Sequence, residues 1–287
     1  MIGAILAATL VASRLEHLTI GGLDRSYRVF RPANLARDRA VPLVVMLHGG
    51  FGSAEQAEKD YGWDAAATRH GFVVVYPNGE RRAWNAGTCC GTPQRDGVDD
   101  VAFISTVIRT VEAHEHIDPS RIAVTGMSNG AMMAYRMACE ANVPLHAIGS
   151  VAGTMLVPCA HPQRLSVVEI HGLADRNVPF AGGTGEGPGH VVTPPIPGVL
   201  ARWMRSDACA PAAQSQSGVV RREYASCADG TSVEMITVAN AGHQWPGSHK
   251  PPGRAALLAR LFGIHGLDAP STAFDATELL YRFFFAP

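Results

Sequence analysis

A chain of 287 residues that is 47% apolar can bury the core of one large α/β domain or two small ones. Its 24 Lys and Arg against 25 Asp and Glu leave a net charge of −1, which argues against a nucleic-acid surface or a basic membrane-binding face. No apolar run reaches the roughly 20 residues needed to span a bilayer.

The elements follow in order. Residues 1–13 are mostly apolar and end in Val11-Ala12-Ser13, but the first basic residue is Arg14. They read as a truncated signal segment or as a frayed N-terminus, and residues 14–287 as a single catalytic domain. Arg14 to Ile20 and Arg25 to Arg31 alternate like two strands, joined by a hairpin turn at Gly21-Gly22-Leu23-Asp24. Pro42 to Leu47 is a continuous apolar run, the mark of a strand buried on both faces, and it ends at His48-Gly49-Gly50-Phe51-Gly52. Ser53 to His70 reads helical, with Trp63 and Ala65 to Ala67 on its apolar side. Phe72 to Tyr76 is the next buried strand, and a loop from Arg82 to Gly91 follows.

Asp99 to His116 carries Val101, Ile104, Ile108 and Val111 on one stripe, an amphipathic helix. Ile122 leads into Gly126-Met127-Ser128-Asn129-Gly130, and a helix begins at Ala131. Two more strands fall at His146 to Ala152 and Leu165 to Ile170. Phe180 to Gly198, rich in Gly and Pro, reads as a long mobile loop. A helix at Val199 to Arg205, a strand at Val233 to Val238 and a helix at Ala276 to Phe285 complete the chain. Strands alternating with helices predict an α/β fold, with a mainly parallel central sheet covered by helices on both faces. Ligands in such sheets sit beyond the carboxyl ends of the strands.

The pentapeptide at Ser128 has the spacing G-x-S-x-G. Between a strand and a helix, it places a serine hydroxyl on a sharp, strained turn, the nucleophile elbow of the α/β-hydrolase fold. Such a serine needs a base, and the base needs an orienting carboxylate. The chain order serine, acid, histidine selects Asp175, just past a strand end, and His243, just past the last strand. Asp99 and Asp100 precede the serine and suit a helix start, and Asp207 follows a helix. His171 ends a buried strand and reads as a core histidine, and His48 shapes its own loop. His114 and His116 do not share a helix face, and His249 and His265 lie in loops.

The anion of a tetrahedral intermediate needs backbone donors. Asn129, next after the serine, supplies one. The loop after the early strand supplies the other, with Gly50 the first choice and Phe51 the second. Trp84 and Trp245, in strand-end loops, are candidates for an apolar substrate wall. The reaction so assembled requires no metal and no cofactor.

Six cysteines form an even set. Cys209 and Cys227 flank a polar loop and suit a local disulfide. The adjacent Cys89 and Cys90 do not easily bond each other without strain, so each could reach Cys139 or Cys159, and the sequence does not set the connectivity. No C-x-x-C pair supports zinc, and an oxidised set points to a secreted or periplasmic protein.

Ala83-Trp84-Asn85-Ala86-Gly87, Cys89-Cys90-Gly91, Val98-Asp99-Asp100-Val101, Thr125 to Met133, His171-Gly172 through Asp175 to Pro179, and Gly242 to Gly247 together resemble the polyhydroxybutyrate depolymerase family of esterases, which includes feruloyl and acetyl-xylan esterases. The resemblance implies a secreted α/β-hydrolase that cleaves carboxylic esters of feruloyl or hydroxyalkanoate type, small-molecule or polymeric. It places the triad roles on Ser128, Asp175 and His243 and an aromatic-lined cleft near Trp84 and Trp245. Many extracellular members carry a linker and a polymer-binding module. This sequence ends at Phe283-Phe284-Phe285-Ala286-Pro287 without them, which counts against processive attack on solid polymer. Two other classes share these residues: a peptide hydrolase, since the same triad cuts amides, and a non-catalytic binding module on a hydrolase scaffold.

Overall fold

The computed structural model describes residues 13–248 and 268–286. The expected N-terminal segment up to residue 12, and the loop histidines His249 and His265, lie outside the described residues.

Among the described residues, twelve strands appear in chain order. They are β1 (Arg14–Ile20), β2 (Leu23–Phe30), β3 (Val41–Leu47), β4 (Val73–Pro77), β5 (Ile117–Met127), β6 (Ala147–Val151), β7 (Ser166–Gly172), β8 (Gly183–Thr184), β9 (Val192–Thr193), β10 (Ala213–Ser217), β11 (Val220–Ser226) and β12 (Ser232–Val238). Ten of them form one sheet in the order β1-β2-β4-β3-β5-β6-β7-β12-β11-β10. The neighbours from β4 through β12 pair in parallel. Antiparallel pairs close both ends.

The helices are α1 (Ala54–Asp60), α2 (Trp63–His70), α3 (Gly91–Arg95), α4 (Asp100–His114), α5 (Asn129–Glu140), α6 (Ile196–Ser206) and a C-terminal helix (Ala276–Phe285). Strands β3 and β4 are buried at every position because both faces are covered. Leu43, Val45 and Leu47 of β3 pack with Phe103 and Ile104 of α4, Met133 of α5 and Leu200 of α6. Val44 and Met46, pointing the other way, pack with Trp63 and Ala66 of α2 and with Leu280 and Phe284 of the C-terminal helix. Among the described residues, no helix is long and apolar enough to cross a membrane.

Three expectations need correction. The helix read over Ser53 to His70 is two helices, because Gly62 adopts a left-handed conformation (φ 75°) between α1 and α2. The segment Phe180 to Gly198 is not a structureless loop: β8 and β9 pair within it, and α6 begins at Ile196. The stretch between Cys209 and Cys227 is a β-hairpin rather than a loop. Its strand β10, Ala-Gln-Ser-Gln-Ser, is exposed throughout and so lacks the apolar alternation that marks a strand.

The disulfides are Cys139–Cys159, Cys209–Cys227 and Cys89–Cys90. The second of these matches the sequence expectation; for the other four cysteines, whose connectivity the sequence leaves open, neither Cys89 nor Cys90 reaches Cys139 or Cys159. Packing of α5 beside the segment after β6 brings the Cα atoms of Cys139 and Cys159 to 5.3 Å. That leaves Cys89 and Cys90 to each other.

Candidate active site

Strand β5 ends at Met127, and Ser128 turns the chain into α5 with φ 56° and ψ −119°, a strained conformation for a residue with a side chain. Two hydrogen bonds hold the turn: Ser128 N–H donates to the Val151 carbonyl (2.9 Å), and Met132 N–H donates to the Ser128 carbonyl (2.9 Å). The flanking glycines are required by space. A Cβ on Gly126 would meet the backbone of Gly130, and a Cβ on Gly130 would meet the carbonyl groups of Leu47 and His48. The elbow therefore sits directly against the end of β3.

His243 reaches this serine from the loop after β12. Its Nε2 lies 2.8 Å from Ser128 Oγ, and its Nδ1 lies 2.8 Å from Asp175 Oδ2. A carboxylate oxygen only accepts, so Nδ1 carries the hydrogen and Nε2 is free to accept from the serine hydroxyl. Asp175 stands in the turn after β7. Its Oδ1 accepts the N–H groups of Asn177 and Val178, both at 2.9 Å. Burial alone would raise this carboxyl, but His243, His171 and the Val178 N–H outweigh it and hold it below its ordinary value. Residues 128, 175 and 243, far apart in the chain, meet here with Asp175 and His243 buried and Ser128 half-buried.

Asp268 is a residue that sequence reasoning missed. It accepts the His243 N–H (2.7 Å) and donates its own N–H to the His243 carbonyl (2.8 Å), clamping the backbone that carries the imidazole. No motif marks it, since the contact is made by a segment 25 residues away.

The loop after β3 lies over the elbow. A Cβ on Gly49 would sit 3.6 Å from Ser128 Cβ, and one on Gly50 4.0 Å from Asn129 Cβ. Among the described residues, the N–H groups of Gly50 and Asn129 have no hydrogen-bond acceptor. Phe51, the second choice as donor, is corrected: its N–H already donates to the Arg82 carbonyl at 2.8 Å. His48 shapes this loop from the core. Its Nδ1–H donates to the Gly49 carbonyl (2.7 Å), and its Nε2 accepts the Gly79 N–H (3.0 Å). Burial pushes its pKa down to about 4, which keeps the ring neutral.

Neither tryptophan lines a cleft. Trp84 is fully buried, and its indole N–H donates to the His48 carbonyl at 2.8 Å. Trp245 is buried on the opposite face of the sheet, stacked on Tyr61 at 4.5 Å and hydrogen-bonded to Thr277. Both are core residues rather than walls of a cleft. The exposed apolar side chains on the strand-end loops are instead Phe51 (70% exposed) and Leu173 (45%). Phe51 is held in left-handed backbone, φ 63°, immediately after Gly50.

Two of the rejected acids have structural partners. Asp99 caps α4 by accepting the Ala102 N–H, and Asp100 pairs with the buried Arg25 at 2.7 Å while accepting the Asn85 N–H. Asp207 follows α6.

A family profile described as "Esterase PHB depolymerase" matches residues 25–185. The NocK protein of Nocardia uniformis subsp. tsuyamanensis, which carries an esterase name, is 30% identical over 82% of this chain and 75% of its own length. Feruloyl esterase B of Piromyces equi is 26% identical over 74% of this chain, which spans 41% of that protein's length. In three dimensions, an acetyl xylan esterase from Aspergillus awamori superposes with a TM-score of 0.61 at 16% identity, covering 87% of this chain and 99% of that one. The architecture is the α/β-hydrolase fold, as the sequence predicts.

Proposed function

As this chain belongs to the esterase PHB depolymerase family and is a carboxylic ester hydrolase, we propose that it works through an acyl-enzyme on Ser128, with His243 as base and Asp175 as the orienting acid. The observation that carries this reading is the pair of 2.8 Å contacts on the two nitrogens of His243, which fit one tautomer and one direction of proton transfer.

His243 Nε2 takes the serine proton as Oγ attacks the ester carbonyl. The oxyanion is held by the unengaged N–H groups of Gly50 and Asn129, at the N-terminus of α5. His243 then gives the proton to the departing alkoxide. Water, deprotonated by the same ring, attacks the acyl-serine and releases the acid. Phe51 and Leu173 supply the apolar surface beside this centre, in place of the two tryptophans.

The substrate class is a feruloyl-type aryl ester or a hydroxyalkanoate oligomer. Feruloyl esterase B among the relatives supports the first, and the family description supports the second. Three disulfides support an exported protein. Ser128→Ala is expected to abolish p-nitrophenyl ester hydrolysis and fluorophosphonate labelling while the protein stays folded. Turnover retained in that variant would end the proposal. Methyl ferulate, acetylated xylan and hydroxybutyrate oligomers, assayed side by side, rank the substrates.

A further inference from the structure

Behind the triad carboxylate lies a second ionisable pair that no step above uses. Glu169 and His171 are two residues apart on β7, so they point to the same face, and both side chains are fully buried. His171 Nδ1 lies 2.8 Å from Glu169 Oε1, and its Nε2 lies 2.8 Å from the Val178 carbonyl and 3.6 Å from Asp175 Oδ2. The other Glu169 oxygen accepts the Tyr135 hydroxyl of α5 at 3.1 Å.

The Val178 contact locates one proton, and the charges around the ring argue for the second. A carbonyl only accepts, so Nε2 carries a hydrogen. Nδ1 faces a carboxyl group that already accepts from Tyr135, and the negative Asp175 lies on the other side of the ring. A ring so enclosed is held as a cation. Burial favours the neutral ring, but Glu169, Asp175 and the Val178 carbonyl outweigh it and hold His171 above its usual range. The ionisable groups around it are Glu169 on its own strand, Tyr135 from α5 behind Glu169, Asp175 from the turn after β7, and His243 beyond Asp175. The remaining ring neighbour, Phe180 at 5.9 Å, is uncharged.

We propose that Glu169 and His171 form a standing carboxylate–imidazolium pair that positions Asp175, keeps it ionised, and thereby sets how far into acid the enzyme works. The proposal rests on the triad reading. His171 touches no reacting atom, so it is a positioning residue. Asp175 Oδ2 is divided between two rings, a hydrogen bond from His243 at 2.8 Å and a charge contact from His171 at 3.6 Å. A fixed cation on one side of the carboxylate disfavours a second cation on the other. Without it, the resting enzyme takes up its inactivating proton at higher pH.

The test is the pH dependence of kcat/KM for p-nitrophenyl acetate in the wild type, Glu169→Gln, His171→Gln, the double variant and Ser128→Ala, with thermal unfolding as the check on folding. In the folded Glu169→Gln and His171→Gln proteins, the acid limb is expected to move to higher pH by about 0.5 or more. KM is expected to hold, and the double variant to move no further than either single one. A folded variant whose limb overlays the wild type overturns the proposal. Should both variants fail to fold, 15N-histidine NMR of the wild type decides. One ring protonated on both nitrogens at about pH 8, where an ordinary imidazole is neutral, supports the pair, and a spectrum of neutral rings overturns it. An active Ser128→Ala removes the triad reading, whereas an inactive Ser128→Ala with unshifted limbs removes the Glu169–His171 role alone.

Discussion

The carboxamide of Asn129 is hydrogen-bonded at both ends to the backbone of Trp84, its Oδ1 accepting the Trp84 N–H at 2.7 Å and its Nδ2 donating to the Trp84 carbonyl at 3.0 Å. The residue that follows the elbow serine is thus tied to the loop after β3, because Trp84 in turn donates to the His48 carbonyl.

Removing that link has a defined cost. In Asn129→Ala the Trp84 carbonyl keeps the Cys90 N–H as partner, but the buried Trp84 N–H is left with none. One orphaned buried donor costs about 1–3 kcal/mol. We expect urea unfolding to report that loss and kcat to drop about tenfold through a shifted loop, since misplacement of this order is costly to catalysis. A variant within about 0.5 kcal/mol of the wild type would contradict the bracing role.

Phe51 combines exposure with backbone strain, a pairing that occurs where function maintains it. Phe51→Gly relieves the left-handed φ and is expected to raise stability by about 1 kcal/mol. Both Phe51→Gly and Phe51→Ala are expected to lower kcat/KM for an aryl ester about tenfold relative to an acetyl ester, a loss in the range of one apolar contact. Unchanged selectivity in the two variants would remove Phe51 from the substrate surface.

Two glycines give opposite outcomes for the same substitution. Gly130→Ala drives a methyl into the carbonyl groups of Leu47 and His48, and both are backbone that cannot step aside. It is expected to destabilise by about 3 kcal/mol or to prevent folding. At Gly198, exposed on α6, a methyl meets nothing within 4 Å. Gly198→Ala is expected to stabilise by about 0.5–1 kcal/mol through helix propensity. Thermal melts of the pair check both signs, and equal effects would refute the packing account of the elbow.

Asp64 governs part of the pH dependence of stability. Burial raises its pKa to about 7, and although the Tyr76 hydroxyl donates to it at 2.6 Å, the Glu58 carboxylate adds to the rise. The folded protein therefore binds this proton more tightly than the unfolded chain does. The resulting stability is complete below about pH 4, the unfolded value, and is lost as pH rises through about 7. Asp64→Asn removes this slope and keeps an acceptor for Tyr76. Melting curves of the two proteins from pH 4 to about 8 are expected to cross, with the variant more stable at the alkaline end. Parallel curves would show that Asp64 is not the group responsible.

Much of this architecture is legible along the chain. The apolar runs at β3 and β4 and the stripe of α4 are periodicities that local burial imposes. The elbow is more local still: five residues contain both the serine and the glycines whose missing side chains let it turn. The order of Ser128, Asp175 and His243 follows from which loops leave the carboxyl ends of the strands, and they meet as that order implies.

Packing decided the rest. Trp84 and Trp245 sit in loops that end at the right edge of the sheet, but whether a large ring faces solvent or core depends on what lies beneath it, and both rings point inward. The Phe51 N–H is already engaged because the Arg82 carbonyl, from another loop, reaches it. The pairing of Cys139 with Cys159, the clamp of Asp268 on His243 and the contact of His171 with Asp175 join segments that no spacing rule connects. A strand or a turn is specified by its own residues, whereas a neighbour is specified only once the whole sheet has closed around it.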